Sequence, residues 1–306
     1  MLIALLNILI LLIAPFIMLG VIKKTKAFWS GRKGVSIFQP IWDFIRLMKK
    51  GAVYSKTTSW VFRFAPVVIF SSVIFASLFV PLADGLAVFN VNFGFIIFAY
   101  ALAFGKFFSL LSSLDTGSSF EGMGASREAC FSTIVEPAFF VAMGSICALT
   151  HTYSFLNFKI LLTDNGIYGY LIMFLMALTL LIMLLIEGCR VPVDDPTTHL
   201  ELTMIHEVMI LDNSGVDLGL ISWASTIKIF LFEALIANLL LPFEPNSDFI
   251  SALLFLLITT LLSIIVGTIE SAFARFRMTH VFEFIFIMSL TALLILALVA
   301  YRLYGN

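Results

Sequence analysis

The sequence predicts an all-α integral membrane protein with eight transmembrane helices, an added amphipathic helix on the cytoplasmic side, and both termini outside. Three observations predict it. The 306 residues are 61% apolar and 12% charged, with 33 phenylalanines, against roughly 45–50% and 25% in soluble domains. Eight apolar stretches recur, each of the ~20 residues that a bilayer core needs. Lys and Arg fall almost wholly in alternate connections, which sets orientation. A soluble chain of this size could not hide so much apolar surface, so a cytosolic enzyme, a nucleic-acid binder and a disordered chain are excluded. The net charge of −1 provides no global field to attract a charged partner.

The spans fall at residues 2–22, 64–82, 93–114, 131–150, 167–186, 223–241, 249–269 and 281–301. Each is hydrophobic all round, which favours a buried or lipid-facing span over a surface helix. Nothing alternates as barrel strands would. The first stretch is too long for a signal-peptide core, and no small-x-small cleavage site follows it. With no repeat or low-complexity tract, residues 1–306 are expected to form a single membrane domain.

The first connection, residues 23–63, carries Lys23, Lys24, Lys26, Arg32, Lys33, Arg46, Lys49, Lys50, Lys56 and Arg63. Later connections on the same side add Arg127, Arg190, Arg275 and Arg277, so this side is cytoplasmic. Within the connection, residues 39–50 place Ile41, Phe44, Ile45 and Met48 on one helical face, with Pro40 in the first turn. That pattern is compatible with a membrane-surface anchor and equally with a wall of a ligand site. Cys130, Cys147 and Cys189 match no metal or redox spacing.

Charges at membrane depth are costly, so each is a functional candidate. Lys106, Glu136, Lys228 and Glu233 lie inside spans, and Glu187 and Glu270 mark span ends. They either pair for stability or form a proton path, and the cost of isolated charges favours the path. Lys228 and Glu233 are five apart, some 140° round a helix, so they are not expected to pair.

The densest polar stretch is residues 187–219, an acidic cytoplasmic segment with Asp194, Asp195, Glu201 and Glu207. It is too polar to span lipid and too apolar for a free loop, so it is expected to line a cavity. Pro192 and Pro196 break the fifth span, and residues 197–211 are expected to restart as a helix. Glu201 and Glu207, six apart on that helix, would point to different partners. His199 and His206, seven apart, would share a face. Hydrogen bonding or partner contact outweighs a metal site there, since no His-Glu-x-x-His run is present. The Gly- and Ser-rich residues 117–128 lack a phosphate-loop ending and read as a flexible, cavity-lining connection.

At these residues the sequence resembles the family of eight-span membrane proteins that form the heel of respiratory complex I, where the peripheral arm joins the membrane arm. It is most similar to the branch found in membrane-bound nickel–iron hydrogenases of the hydrogenase-4 and formate-hydrogenlyase type. The resemblance covers nearly the whole chain. It is carried by Gly31-Arg32-Lys33-Gly34, Phe38-Gln39-Pro40, Ser118-Ser119-Phe120-Glu121-Gly122-Met123-Gly124, Ser126-Arg127-Glu128 and Val135-Glu136-Pro137. The most specific run is Arg190-Val191-Pro192-Val193-Asp194-Asp195-Pro196, continuing through Thr198-His199-Leu200-Glu201 to His206-Glu207. The quinone-reducing branch carries a longer basic stretch after Lys33, and glutamates where Thr197 and His199 stand here. Those departures favour the hydrogenase-like branch.

The resemblance implies a subunit without its own redox centre in the inner membrane of a bacterium or archaeon. It would anchor a peripheral arm, with the nickel–iron and iron–sulfur centres held there by a hydrogenase-like large subunit and an iron–sulfur subunit, and it would adjoin antiporter-like membrane subunits. This chain would bind no metal or cofactor. Its cavity acids Glu187, Asp194, Glu201 and Glu207 would start a proton path to which Asp195 and Glu270 also belong. Arg190 would hold those four acids ionised or close the cavity by pairing, and Glu136, Lys106, Lys228 and Glu233 would continue the path inward. Arg32, Lys33, Glu121, Arg127, Glu128, His199 and His206 would face partners. The alternatives are a quinone-binding subunit and an ion-translocating subunit with a non-hydrogenase partner.

Overall fold

A computed structural model describes residues 2–82, 87–89, 91–151, 155, 160–195, 204–241 and 248–304. Among these residues every regular element is a helix: α1 Leu2–Trp29, α2 Gln39–Met48, α3 Trp60–Ser77, α4 Gly94–Asp115, α5 Ser119–Thr150, α6 Ile160–Glu187, α7 His206–Met209, α8 Gly215–Leu240, α9 Asp248–Ala272 and α10 Met278–Tyr304. All but α2 and α7 are long and apolar enough to cross a membrane, so the chain is a multi-pass membrane protein.

α8 is the axis of the bundle, packing against α1, α2, α3, α6 and α9. From Ile229 to Ala237 every side chain is buried, as expected of a helix that is apolar all round. The ends of the other spans meet at one end of the molecule. Asp115, closing α4, accepts from the backbone N–H groups of Ser59 (2.8 Å) and Phe62 (3.3 Å) at the start of α3. A carboxylate there also complements the positive end of the helix dipole. Ser214 accepts from the Val53 N–H at 2.9 Å, Glu121 from the Asp212 N–H at 2.9 Å, and the Pro192 carbonyl from the Phe276 N–H at 3.0 Å. These bonds gather all four polar connections into one layer.

Three expectations require correction. Residues 119–128, read as a flexible connection, are the first turns of α5. Packing overrides the glycine content there: a Cβ on Gly124 would sit 2.8 Å from the Ile205 carbonyl oxygen, so glycine is what lets the two backbones touch. Of the helix expected over residues 197–211, the described part, residues 204–211, holds only the single turn α7, with Met204 and Ile205 non-helical. Residues 196–203 lie outside the described residues. Asp194 is the cause, because its carboxylate takes the N–H groups of Ile205 (3.3 Å) and His206 (3.1 Å). Third, α6 ends at Glu187, before Pro192 is reached. Cys189 adopts a left-handed φ of 55°, while the Arg190 N–H bonds the Leu185 carbonyl at 2.9 Å, a helix stop that usually employs glycine.

Candidate functional site

Below that polar layer lies a cleft of about 810 Å³ between α1, α2, α3, α4 and α8, closed by residues 188–190 and 206–210. One wall is aromatic. The Trp223 ring lies 4.8 Å from Phe44 on α2, 4.8 Å from Phe70 on α3 and 5.7 Å from Phe16 on α1. α2 comes this close because Gly219 on α8 leaves room for Leu47 and Met48. The opposite wall is charged, and Lys106, Glu128, Arg190, Glu207, Lys228 and Glu270 all reach it.

The charged wall resolves into three groups. In the first, Glu187 at the end of α6 bridges two lysines: Lys106 of α4 at 2.5 Å and Lys228 of α8 at 3.2 Å. Lys106 also donates to the Ser132 hydroxyl at 3.0 Å and approaches Glu128 at 3.5 Å and Glu136 at 3.6 Å, both on α5. One ammonium thus touches three carboxylates from two helices. A cavity of about 40 Å³ beside Lys106, Glu136 and Glu187 has room for water.

The second group centres on Asp194. Besides the Ile205 and His206 N–H groups, its oxygens accept from the Asp195 N–H at 2.9 Å and from Arg275 at 2.8 Å. The His206 ring lies between it and the first group, with Nδ1 3.6 Å from Asp194 and Nε2 3.3 Å from Glu128. Burial alone would disfavour the imidazolium. The Cys189 thiol, Glu128 and Asp194 around the ring outweigh that and hold its pKa well above the usual 6.5. Burial likewise opposes the Asp194 carboxylate, yet His206 and Arg275 keep its pKa below 3.8. The third group is Glu270 of α9, fully buried at its side chain, held by Arg190 at 3.3 Å and Lys26 at 2.8 Å.

The structure therefore brings together Lys106, Glu136, Glu187 and Lys228 of the residues singled out in the sequence, and adds Glu128 and His206 to them. Lys228 pairs with Glu187, not with Glu233. Glu233 lies apart between α8 and α9, fully buried, accepting from the Ser263 hydroxyl at 2.8 Å. Arg190, expected to hold the cavity acids ionised, turns instead to Glu270. Of the residues assigned to partners, Arg32 and Lys33 are exposed, but Glu121 and Glu128 are buried inside the chain. Arg127 spends one guanidinium nitrogen on the Met204 carbonyl at 2.9 Å. Glu207 is half-buried and lines the cleft, and half-buried Asp195 donates its N–H to Asp194. His199 and Glu201 lie outside the described residues. Ser132, the pairing of Lys26 and the Phe16, Phe70 and Trp223 rings escaped the sequence reading, because a hydroxyl, a loop lysine and core aromatics have no spacing that distinguishes them. No group of three or more His, Cys, Asp or Glu with metal-binding geometry occurs among the described residues.

Comparison with known proteins gives three results. Residues 1–301 match the family described as NADH dehydrogenase. Two relatives from Escherichia coli (strain K12) align over most of their length. Hydrogenase-4 component C is 29% identical over 270 residues, covering 87% of this chain and 84% of that one. Formate hydrogenlyase subunit 4 is 24% identical over 277 residues, covering 87% of each. Among solved structures, a chain of the membrane-bound sulfane sulfur reductase, an archaeal respiratory membrane complex, superposes with a TM-score of 0.81 at 19% identity. That match covers 97% of this chain and 98% of the other, and it establishes a shared fold.

Proposed function

The chain belongs to the NADH dehydrogenase family, and on that premise we propose that it is a non-catalytic membrane subunit of a multisubunit oxidoreductase of the hydrogenase-4 or formate-hydrogenlyase kind. It anchors a peripheral redox arm and relays protons from the acidic cleft on its cytoplasmic side. The arm would bring a hydrogenase-like large subunit and an iron–sulfur subunit, and other membrane subunits would flank this one.

The observation that carries the reading is the continuous run of titratable groups from the cleft into the bundle. It passes from His206 and Glu128 to Lys106, then to Glu187 with Lys228 and to Glu136, in steps of 2.5–3.6 Å. A purely structural pairing needs one partner per charge. Here three carboxylates share one lysine, an arrangement in which the position of a proton can change without any group losing all its contacts. The basic first connection supports the cytoplasmic assignment of this end. In the test, Glu187→Gln and Glu136→Gln are introduced into the intact complex. The expected result is impaired coupled turnover and proton translocation with assembly retained. Full translocation in both variants refutes the relay.

A second reading, a quinone-binding subunit, is favoured by one observation: the cleft's aromatic wall of Phe16, Phe44 and Trp223 would suit a planar ring. Activity with quinone acceptors and block by quinone-site ligands would support it.

A further inference from the structure

Glu233 and Arg190 each leave a buried polar atom without a hydrogen-bond partner among the described residues, one an acceptor and the other a donor. Glu233 is 0% exposed. Its Oε1 accepts from the Ser263 hydroxyl at 2.8 Å, while Oε2 meets no partner. Arg190 spends Nη1 on Glu270 at 3.3 Å, and its buried Nε is unused. An ionised carboxylate in the site of Glu233, with one hydroxyl and no cation against it, would be very costly. A group so placed takes up a proton instead.

Packing sets the two residues along one seam. A Cβ on Gly188 would sit 2.8 Å from the Ile229 side chain, so the chain leaving α6 lies directly on α8 two residues before Arg190. Glu233 stands one turn beyond Ile229, on the same face of α8. On α9, Ser263 and Glu270 are seven apart, hence on one face and about 10 Å apart along the axis at 1.5 Å per residue. Arg190 bonds the Glu270 end of that face and Glu233 the Ser263 end. The Arg190 charge acts on Glu233 across the gap. Cations are shared unevenly: Glu270 has both Arg190 and Lys26, the latter at 2.8 Å, and Glu233 has none. Arg190 is therefore the spare partner. The other charged groups around the seam are Lys23 of α1, Asp43 of α2 and Glu187 of α6, which holds Lys228. α3 brings only Arg63, in its first turn.

We propose that Glu233 is a proton-binding site and that Arg190 is exchanged between it and Glu270. With its proton on, Glu233 is neutral and Arg190 stays on Glu270. When the O–H bond at Oε2 breaks, the proton passes to water, for which the cleft has room, and Arg190 turns to the carboxylate left behind. Glu270 keeps Lys26, so every charge is paired in both states, and no electron moves. Arg190, Lys26 and Glu270 line the cleft, so the proton on Glu233 decides whether the Arg190 charge stands in the cleft wall. Linkage makes the effect reciprocal: an anion entering the cleft holds Arg190 there and keeps the proton on Glu233. The exchange uses no member of the Lys106 line and goes beyond the relay proposed above.

Infrared difference spectroscopy on the native complex, purified through a tag on this chain, tests the proposal. Wild type minus Glu233→Gln is expected to show, at neutral pH, the C=O band of one protonated carboxyl. Ser263→Ala should move that band to higher frequency, because the carbonyl loses its donor. At alkaline pH the band should vanish in the wild type and persist in Arg190→Gln. It should also persist in Lys26→Met, where Glu270 has Arg190 alone. That variant alters a lysine whose side chain is 30% exposed, so the test does not depend on the folding of Arg190→Gln. Lys23→Met removes a cation from the same wall without touching Glu270 and should follow the wild type. A missing band at neutral pH, or one unmoved by Ser263→Ala, overturns the proton site. Three results overturn the exchange: survival of the band at every alkaline pH in the wild type, equal loss in wild type and Lys26→Met, or equal persistence in Lys23→Met and Lys26→Met.

Discussion

Lys106 and Glu187 meet at 2.5 Å between α4 and α6, eighty-one positions apart in the chain. Their contact ties the middle of one span to the end of another. Glu187 simultaneously holds Lys228 of the axial helix, so its loss strands Lys228, while Lys106 keeps two other acids. Breaking a buried ion pair by removing one partner costs ~3–5 kcal/mol. Glu187→Gln is therefore expected to lower the unfolding temperature of the detergent-solubilised complex more than Lys228→Met does. Equal shifts would contradict the bridging role.

The Asp194–His206 arrangement sets a pH window. His206 has a raised pKa, so its stabilising contribution is complete below pH 6.5 and is lost as pH rises through the higher folded value. Asp194 has a lowered pKa, so its contribution is present above pH 3.8 and is lost as pH falls through the folded value. The hydrogen-exchange protection of residues 204–213, taken relative to the intrinsic base-catalysed rate, is expected to fall at alkaline pH in the wild type. In His206→Gln that alkaline dependence should disappear. An unchanged alkaline profile in the variant would count against the charged imidazole.

Two glycines of α5 predict opposite signs. An added methyl on Gly122 meets nothing within 4 Å, whereas on Gly124 it meets the Ile205 carbonyl at 2.8 Å and Met209 at 3.0 Å. Gly122→Ala is expected to stabilise by ~0.5–1 kcal/mol through helix propensity. Gly124→Ala should destabilise and loosen residues 204–209. Thermal unfolding and limited proteolysis separate the two outcomes, and stabilisation by both would show that the loop does not press on α5.

Ser214 clasps the chain after α2 by accepting the Val53 N–H. Ser214→Ala removes that bond and the 3.4 Å bond that the hydroxyl donates to the Val53 carbonyl, neutral hydrogen bonds worth about 0.5–1.5 kcal/mol each. The expected effect is faster proteolytic cleavage within residues 51–59 with little change in the unfolding temperature of the bundle. A large global loss would mean that this strap holds more than itself.

Much of this was legible in the sequence. Runs of apolar residues located all eight spans, because lipid demands length and composition and little else. The clustered charges were visible for the converse reason: Lys106, Glu136 and Lys228 stand out where charge is expensive. What could not be read was pairing. Helical spacing says that Lys228 and Glu233 point apart, but it does not say that Lys228 reaches Glu187 on another helix. The polar segments misled for a related reason. Gly and Ser at residues 117–126 suggest a loop by local preference, yet the backbone contact at Gly124 repays a helix. In the segment after Pro192 the carboxylate of Asp194 competes for the N–H groups that a longer helix would have used.

α5 runs unbroken from Ser119 to Thr150, and its first turns are pressed against Ile205 and Met209. From Gly124 to Glu136 is about 18 Å of continuous helix at 1.5 Å per residue, with Pro137 immediately beyond. One rigid element therefore carries both contacts, and it fixes the distance between the backbone packed under Ile205 and the carboxylate beside Lys106.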